Sequence, residues 1–174
     1  GSIVGAQGSS LHLLGFNSAT ESFLRNGSTL NVTSFLTNAS QILNINEGCD
    51  VSGIDNFTFG RGNLIADVVF PSSSNYILQA DMVTNKNQNF TGNFTLESGS
   101  INGDVTVAYD TPNFIANFGY FGGTTKVRLS ANTTLDLTQL GVSDLVNDGI
   151  INIQQSGYFS GGLPGIVNNG TINT

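Results

Sequence analysis

The chain has 174 residues, and only 10% of them are charged, with 5 Lys plus Arg against 12 Asp plus Glu and a net charge of −7. So few cations disfavour binding to nucleic-acid phosphates and adsorption to an anionic membrane. Membrane insertion is disfavoured because Gly, Asn and Pro break the long uncharged runs that a transmembrane helix would need. The length suits a single β domain over residues 1–174 or a fragment of a longer solenoid, and 39% hydrophobic residues provide for a buried core.

The polar part of the chain is carried mainly by amides and hydroxyls. Asn and Gly each occur 22 times, and Ser and Thr are abundant as well. These residues favour turns or strands and are mediocre in helix interiors. The composition therefore predicts a secreted, repetitive all-β protein located outside the cell or on its surface.

The N-terminal segment has no basic region followed by an apolar block, as a signal peptide would. We expect residues 1–22 to form a cap, or a strand exchanged with a neighbouring subunit. Cys49 is the single cysteine, so no disulfide forms within the chain, and backbone ladders and packing must hold the fold.

A short repeat is the most informative pattern: an apolar residue, an Asn two positions later, and an apolar-Asn-apolar triplet that begins four positions after that Asn. Its copies are Leu24, Asn26, Leu30, Asn31, Val32; Leu36, Asn38, Ile42, Asn44, Ile45 (with one insertion); Leu145, Asn147, Ile151, Asn152, Ile153; and Ile166, Asn168, Ile172, Asn173. The pattern is typical of strand, turn, strand. A unit this short must stack on a neighbour to bury its apolar face, as in a solenoid.

Helix signals are scarce. Ser18-Ala19-Thr20-Glu21 matches a helix capping box, but the repeat favours a strand over 22–24. The other helix candidate is one short turn across 139–147.

Period-2 alternation marks strands in the middle of the chain, between clusters of turn residues. The alternating sets are Tyr76, Leu78, Ala80, Met82; Val105, Val107, Tyr109; Phe114, Ala116, Phe118, Tyr120; and Val127, Leu129, Ala131.

Together these patterns predict a right-handed parallel β-helix of about seven or eight turns, at roughly 20–25 residues per turn. Asn side chains at equivalent positions would form an amide ladder, since stacked amides pair where stacked like charges repel. The predicted ladder residues are Asn26, Asn38, Asn147 and Asn168. An antiparallel β-sandwich is the alternative fold.

The segments DLVNDGIINI (144–153) and PGIVNNGTINT (164–174) resemble coils of parallel β-helix surface adhesins. Related coils occur in autotransporter and filamentous-haemagglutinin-like adhesins, in archaeal adhesin-like proteins and in fungal wall adhesins. The fungal domains usually carry several cysteines, and the single Cys49 departs from that pattern. The resemblance implies holding, adhesion or self-association rather than catalysis.

N-glycosylation acceptors are plentiful, and they make a glycoprotein if the host has the machinery. Asn-x-Ser/Thr triplets begin at Asn26, Asn31, Asn38, Asn56, Asn89, Asn93, Asn132 and Asn169. The alternative is that these triplets only fill turns and strands.

Catalytic and metal-binding patterns are weak. His12 is the single histidine, and neither a serine nor Cys49 has the surrounding motif of a catalytic nucleophile. Zinc ligands of suitable type and spacing are lacking. We assign no catalytic residue, no metal ligand and no cofactor.

Two loose groups of carboxylates support the alternative of a polysaccharide lyase or hydrolase, which needs two carboxyls converging on one bond. They are Asp50 with Asp55, and Asp136 with Asp144 and Asp148; Lys126 and Arg128 are the cations a lyase would use. Oxygen-rich turns at Asn102-Gly103-Asp104 and Asn147-Asp148 are the candidates for Ca²⁺.

Aromatic residues cluster at Tyr109, Phe114, Phe118, Tyr120 and Phe121, among several glycines. Exposed, they would stack on sugar rings or on a partner's apolar patch; buried, they would form a stacked core.

The sequence thus predicts a non-catalytic adhesin or structural module whose partners are a glycan, a surface receptor or identical subunits. A filament subunit assembled by strand exchange and a polysaccharide-degrading enzyme are the alternatives.

Overall fold

The computed structural model describes residues 1–13, 21–37, 41–160 and 165–174. These residues form strands and connecting turns, with no α-helix among them. The strands are β1 Ser2–Val4, β2 Ser10–Leu13, β3 Glu21–Leu24, β4 Thr29–Asn31, β5 Ser34–Thr37, β6 Gln41–Ile45, β7 Asn56–Phe59, β8 Gly62–Ala66, β9 Asn75–Leu78, β10 Asp81–Thr84, β11 Gln88–Phe90, β12 Phe94–Leu96, β13 Ser100–Asn102, β14 Thr106–Tyr109, β15 Phe114–Ala116, β16 Gly119–Gly122, β17 Lys126–Leu129, β18 Thr134–Gly141, β19 Asp144–Asn147, β20 Ile150–Ser160, β21 Ile166–Asn168 and β22 Thr171–Asn173.

The strands stack in parallel as a β-solenoid of about 7 turns with three faces. Face A contains β2, β5, β7, β9, β12, β15, the first half of β18, the first half of β20, and β22. Face B contains β3, β6, β8, β10, β13, β16 and the second halves of β18 and β20. Face C contains β11, β14, β17, β19 and β21, with the pair β1 and β4 on the same side near the N-terminus.

The parallel β-helix prediction is confirmed, and the antiparallel sandwich is wrong, because every strand pair in the described residues runs parallel. Along face A, Ser10 pairs with Ser34, whereas Thr134 pairs with Ile150, so one turn takes 16 to 24 residues. The strand favoured over 22–24 is present as part of β3. The helical turn across 139–147 is wrong, since β18 and β19 occupy that stretch.

Alternation along each strand sends one set of side chains into a single core. On face A the inward residues Phe57, Tyr76, Phe94 and Phe114 follow one another from turn to turn. The rings of Phe57 and Tyr76 stack 5.0 Å apart at an interplanar angle of 5°. Aromatic stacking between turns therefore provides much of the packing that a disulfide-free fold needs.

Only the last two copies of the sequence repeat lie in register. Asn147 pairs with Asn168 on face C, and its Nδ2 donates to Oδ1 of Asn168 at 2.6 Å. Asn152 pairs with Asn173 on face A, where Asn173 Nδ2 donates to Asn152 Oδ1 at 2.8 Å.

Asn26 does not belong to this column, which corrects the predicted ladder. It lies in the exposed turn between β3 on face B and β4 on face C, whereas Asn147 is buried at the end of β19. The repeat pattern matches any corner at which a strand, a turn and a second strand follow one another, so its copies fall at different corners of the solenoid. Asn38 lies outside the described residues.

A longer amide ladder runs along the edge of face A, where the sequence repeat gave no sign of it. Its members are Asn56, Asn75, Asn93 and Asn113, at equivalent positions in four consecutive turns. Nδ2 of Asn75 donates to Oδ1 of Asn56, and Nδ2 of Asn113 donates to Oδ1 of Asn93 at 2.9 Å. Between these pairs, the backbone N–H of Asn93 donates to Oδ1 of Asn75 at 3.2 Å.

Candidate functional site: an aromatic patch on face B

The predicted aromatic cluster is divided between the core and the surface. Tyr109, Phe114 and Phe121 are fully buried, so they are core residues and cannot serve as contact residues. Phe118 and Tyr120 are 59% and 50% exposed. Strand alternation explains the division, because Tyr120 points outward and the next residue, Phe121, points inward.

Tyr120 lies on β16 between Ser100 of the preceding turn and Gly141 of the next. A Cβ atom at Gly141 would overlap Cδ2 of the tyrosine ring, and one at Gly122 would lie 2.6 Å from Cε1. The ring therefore packs closely against two glycines, one on its own strand and one on the next strand. The absence of side chains at these two positions allows the close approach and leaves the other side of the ring in solvent.

Tyr158 is a third exposed aromatic residue, at 51% exposure, and the prediction from sequence missed it. It pairs with Gln139, and Gln139 directly precedes Leu140, the partner of Gly119. Continuing this register places Phe118 one strand from Gln139 and two strands from Tyr158. We call Phe118, Tyr120 and Tyr158 the aromatic patch.

A bulge in β20 lies beside the patch. The β18–β20 register shifts between Leu137 and Gln139, which leaves residues 154–157 without partners on β18. Gln154, Gln155 and Ser156 are exposed there, and Ser156 adopts a φ of 68°, in the left-handed region. The bulge thus presents amide and hydroxyl groups next to an exposed ring.

The segments that carry the patch contain no charged residue although the chain carries a net charge of −7. Residues 117–122, 138–141 and 154–160 include no Asp, Glu, Lys or Arg. Below the patch, Asp81 lies two turns from Tyr120 and accepts a hydrogen bond from Ser100 Oγ at 2.7 Å. Glu97 accepts a hydrogen bond from Gln79 Nε2 at 2.6 Å. The carboxylates on the preceding turns are thus held by neighbouring polar side chains.

The second predicted carboxylate group is distributed around the solenoid. Asp136 lies on face A and accepts from Asn152 Nδ2 at 2.8 Å. Asp144 lies on face C and forms an ion pair with Arg128 at 2.7 Å. Asp148, at a corner, accepts from Asn169 Nδ2 at 2.8 Å. The fold does not bring these three carboxylates together.

In the first group, Asp50 is held by a local contact. Asp50 accepts hydrogen bonds from the hydroxyl and the backbone N–H of Ser52, which lower the pKa of its carboxyl. Asp55 is exposed at the corner before face A. Of the two candidate lyase cations, Arg128 pairs with Asp144 and Lys126 is exposed on the same strand.

The remaining candidate groups lie apart. His12 is exposed on β2, and Cys49 is buried, which raises the pKa of its thiol. At one of the candidate Ca²⁺ turns, Asn102 Nδ2 donates to Ser100 Oγ, and Asp104 accepts from Thr124 Oγ1. Within the described ranges, no group of three or more His, Cys, Asp or Glu residues could hold a metal ion.

The glycosylation candidates differ in accessibility. Six of them are exposed: Asn26, Asn31, Asn89, Asn93, Asn132 and Asn169. Asn56 is half-buried within the amide ladder, and Asn38 lies outside the described residues. Asn89 stands in the middle of β11, with its side chain facing outward from face C.

Comparisons with protein-family models, with curated proteins and with solved structures give no match. In the part of the chain that the structure describes, no helix has the length and apolar character needed to cross a membrane. The function must therefore be argued from the surface of the solenoid itself.

Proposed function

We propose that the chain is a non-catalytic extracellular module of adhesin type, a rigid solenoid that makes contacts through its lateral surface. The observation that carries this proposal is the contrast between the aromatic patch and the rest of the exterior. Elsewhere in the described residues, many outward polar side chains pair between turns, as in the Asp136, Asn152, Asn173 column, and the large exposed apolar side chains are aliphatic. The patch instead leaves three aromatic rings exposed on segments that contain no charged residue.

Rigidity follows from the ladders. Each turn is tied to the next by parallel backbone hydrogen bonds and, at several corners, by side-chain pairs such as Asn169 with Asp148. Neutral amides and hydroxyls suit this role, because like charges stacked at about 4.8 Å would repel. A rod of this kind carries its surface groups in fixed positions without disulfides.

The positions of the carboxylates support a non-catalytic function over polysaccharide cleavage. Glycoside hydrolysis needs two carboxyls about 5–10 Å apart across one bond. Asp136 and Asp144 lie on different faces, and each has its own hydrogen-bonding partner. The hydrogen bonds of these two carboxylates join neighbouring turns, which favours a structural role for both residues.

Self-assembly by strand exchange is less favoured, because the N-terminal segment pairs within its own chain. Ser2–Val4 pairs with Thr29–Asn31, and Ser10–Leu13 pairs with Ser34–Thr37. A subunit that donates this segment to a neighbour would have to release both pairings.

Adhesion is tested with beads that carry the purified protein, exposed to cells and to insoluble polysaccharide particles under flow. We expect specific retention, with no release of reducing sugar or unsaturated products into the medium. The Asp136→Asn and Asp144→Asn variants should retain particles as the parent protein does. Released products that disappear in either variant would overturn the proposal in favour of an enzyme, and fibres in electron micrographs would overturn it in favour of a filament subunit.

A further inference from the structure

We infer that the aromatic patch binds a neutral, linear glycan whose chain runs along the solenoid axis. This inference rests on the proposed adhesin function, and it names the partner class of the surface that carries it. The C–H face of a pyranose ring is apolar and its rim is polar, so it packs on an aromatic ring and hydrogen-bonds to groups beside that ring.

The arrangement of the rings sets the direction of the ligand. Phe118 and Tyr158 belong to one column, two strands apart, so their Cα atoms are separated by about 10 Å along the axis. Tyr120 on β16 lies two residues after Phe118, which directly precedes that strand, and both side chains are exposed. An extended chain of sugar units that follows the axis can contact both members of the column while Tyr120 borders it.

The polar groups suit hydroxyl recognition. Gln139 lies between Phe118 and Tyr158 in the column, and it is half-buried. The bulge adds the exposed amides of Gln154 and Gln155. Amides both donate and accept, as a sugar hydroxyl does, so they can pair with it in either direction.

The charge pattern selects a neutral glycan over an acidic one. No Lys or Arg lies on β16, β18 or β20, and the carboxylates of Asp81 and Glu97 on the preceding turns would repel a uronate. Arg128 and Lys126 are on face C, away from the patch. A second copy of the chain is a weaker candidate for the occupant, because three rings are a small part of the roughly 800 Å² per partner in a stable interface.

The test is nuclear magnetic resonance titration of the full chain with cellohexaose, laminarihexaose and mannohexaose, with hexagalacturonate as the acidic comparison. We expect at least one neutral hexasaccharide to shift the ring signals of Phe118 and Tyr158, and hexagalacturonate to bind more weakly. The Phe118→Ala, Tyr158→Ala double variant should weaken binding about tenfold or more. Phe118→Leu with Tyr158→Leu keeps the bulk but removes the ring faces, and it should show a similar loss.

The matched control is Val83→Ala, an exposed apolar residue on the same face outside the patch, which should leave affinity unchanged. Circular dichroism checks that each variant retains the parent's fold. If no neutral hexasaccharide shifts the ring signals at concentrations up to about 1 mM, the inference is wrong, and retention on beads still decides the proposed function separately. Preferential binding of hexagalacturonate, or dimerisation weakened by Phe118→Ala, would also overturn it.

Discussion

Asn75 on β9 donates a hydrogen bond from Nδ2 to Oδ1 of Asn56, 3.0 Å away on the preceding turn. The same Asn75 side chain accepts the backbone N–H of Asn93 from the turn that follows. One side chain thus joins three consecutive turns along the edge of face A. This is the kind of contact that can hold a solenoid together when no disulfide is present.

Asn75→Ala should lower the free energy of unfolding by about 1 kcal/mol, because it removes both of these contacts. The matched control is Asn63→Ala, at an exposed position on face B, where a change within about 0.5 kcal/mol is expected. Chemical denaturation followed by circular dichroism measures both variants. Equal effects of the two substitutions would show that the ladder contributes nothing specific.

Two buried tyrosines should respond to loss of their hydroxyl in opposite ways. The Tyr109 hydroxyl is buried and has no hydrogen-bonding partner among the described residues, and burial raises its pKa well above the usual value. The Tyr76 hydroxyl donates to the Pro71 carbonyl at 2.5 Å. Tyr109→Phe should therefore leave stability unchanged or raise it by about 1 kcal/mol, and Tyr76→Phe should lower it by a similar amount.

Thermal unfolding of the two phenylalanine variants, side by side with the parent, measures these effects. A loss of stability in Tyr109→Phe as large as that in Tyr76→Phe would mean that the Tyr109 hydroxyl has a partner after all.

The architecture was predictable because it depends on local periodicity. The alternation at Tyr76 and Leu78 indicated inward residues of a strand, and the Asn-apolar triplets near the C-terminus indicated stacked turns. Which copies of the repeat share a corner was not predictable, because one turn of the solenoid takes between 16 and 24 residues and the repeat pattern fits any corner. For that reason the repeat wrongly assigned Asn26 to the same ladder as Asn147 and Asn168.

The candidate site was only half predictable. Phe118 and Tyr120 stood out by composition, but the inward direction of Phe121 depends on the register of β16. Tyr158 had one usable signal, because the Gly-Tyr-Phe sequence of 119–121 recurs at 157–159. The bulge at 154–157 moves that tyrosine into the column of Phe118, and a shift of this kind has no simple signature in sequence.

Stability should fall in acid. Hydrogen bonds from Ser130 and Asn132 lower the pKa of Asp110, and those from Ser52 lower the pKa of Asp50. A carboxyl whose pKa is lower in the folded state stabilises the fold above its unfolded pKa of about 4, and loses that effect as pH falls through the folded value. Denaturation midpoints at neutral pH and well below pH 4 should therefore differ, and Asp110→Asn should reduce the difference. An unchanged pH dependence in this variant would contradict the assignment.

Glycosylation in a eukaryotic secretory host should favour exposed acceptors. We expect a glycan at Asn89, which faces outward from β11, and little or none at Asn56, which is half-buried and pairs with Asn75. Mass spectrometry of peptides from the secreted protein measures the occupancy of both. Full occupancy at Asn56 in a folded, secreted product would show that its half-buried position does not limit glycosylation.

The parallel stacking of consecutive turns is tested most directly by disulfide trapping in a Cys49→Ala background. Thr58 pairs with Ile77 and Ile77 pairs with Thr95, so strand spacing places 58 and 77 about 5 Å apart and 58 and 95 about 10 Å apart. Mild oxidation should crosslink the Thr58→Cys, Ile77→Cys variant almost completely and leave the Thr58→Cys, Thr95→Cys variant reduced, because a disulfide needs Cα atoms within about 7 Å. Crosslinking of the second variant but not the first, measured by mass spectrometry of the intact protein, would contradict the solenoid.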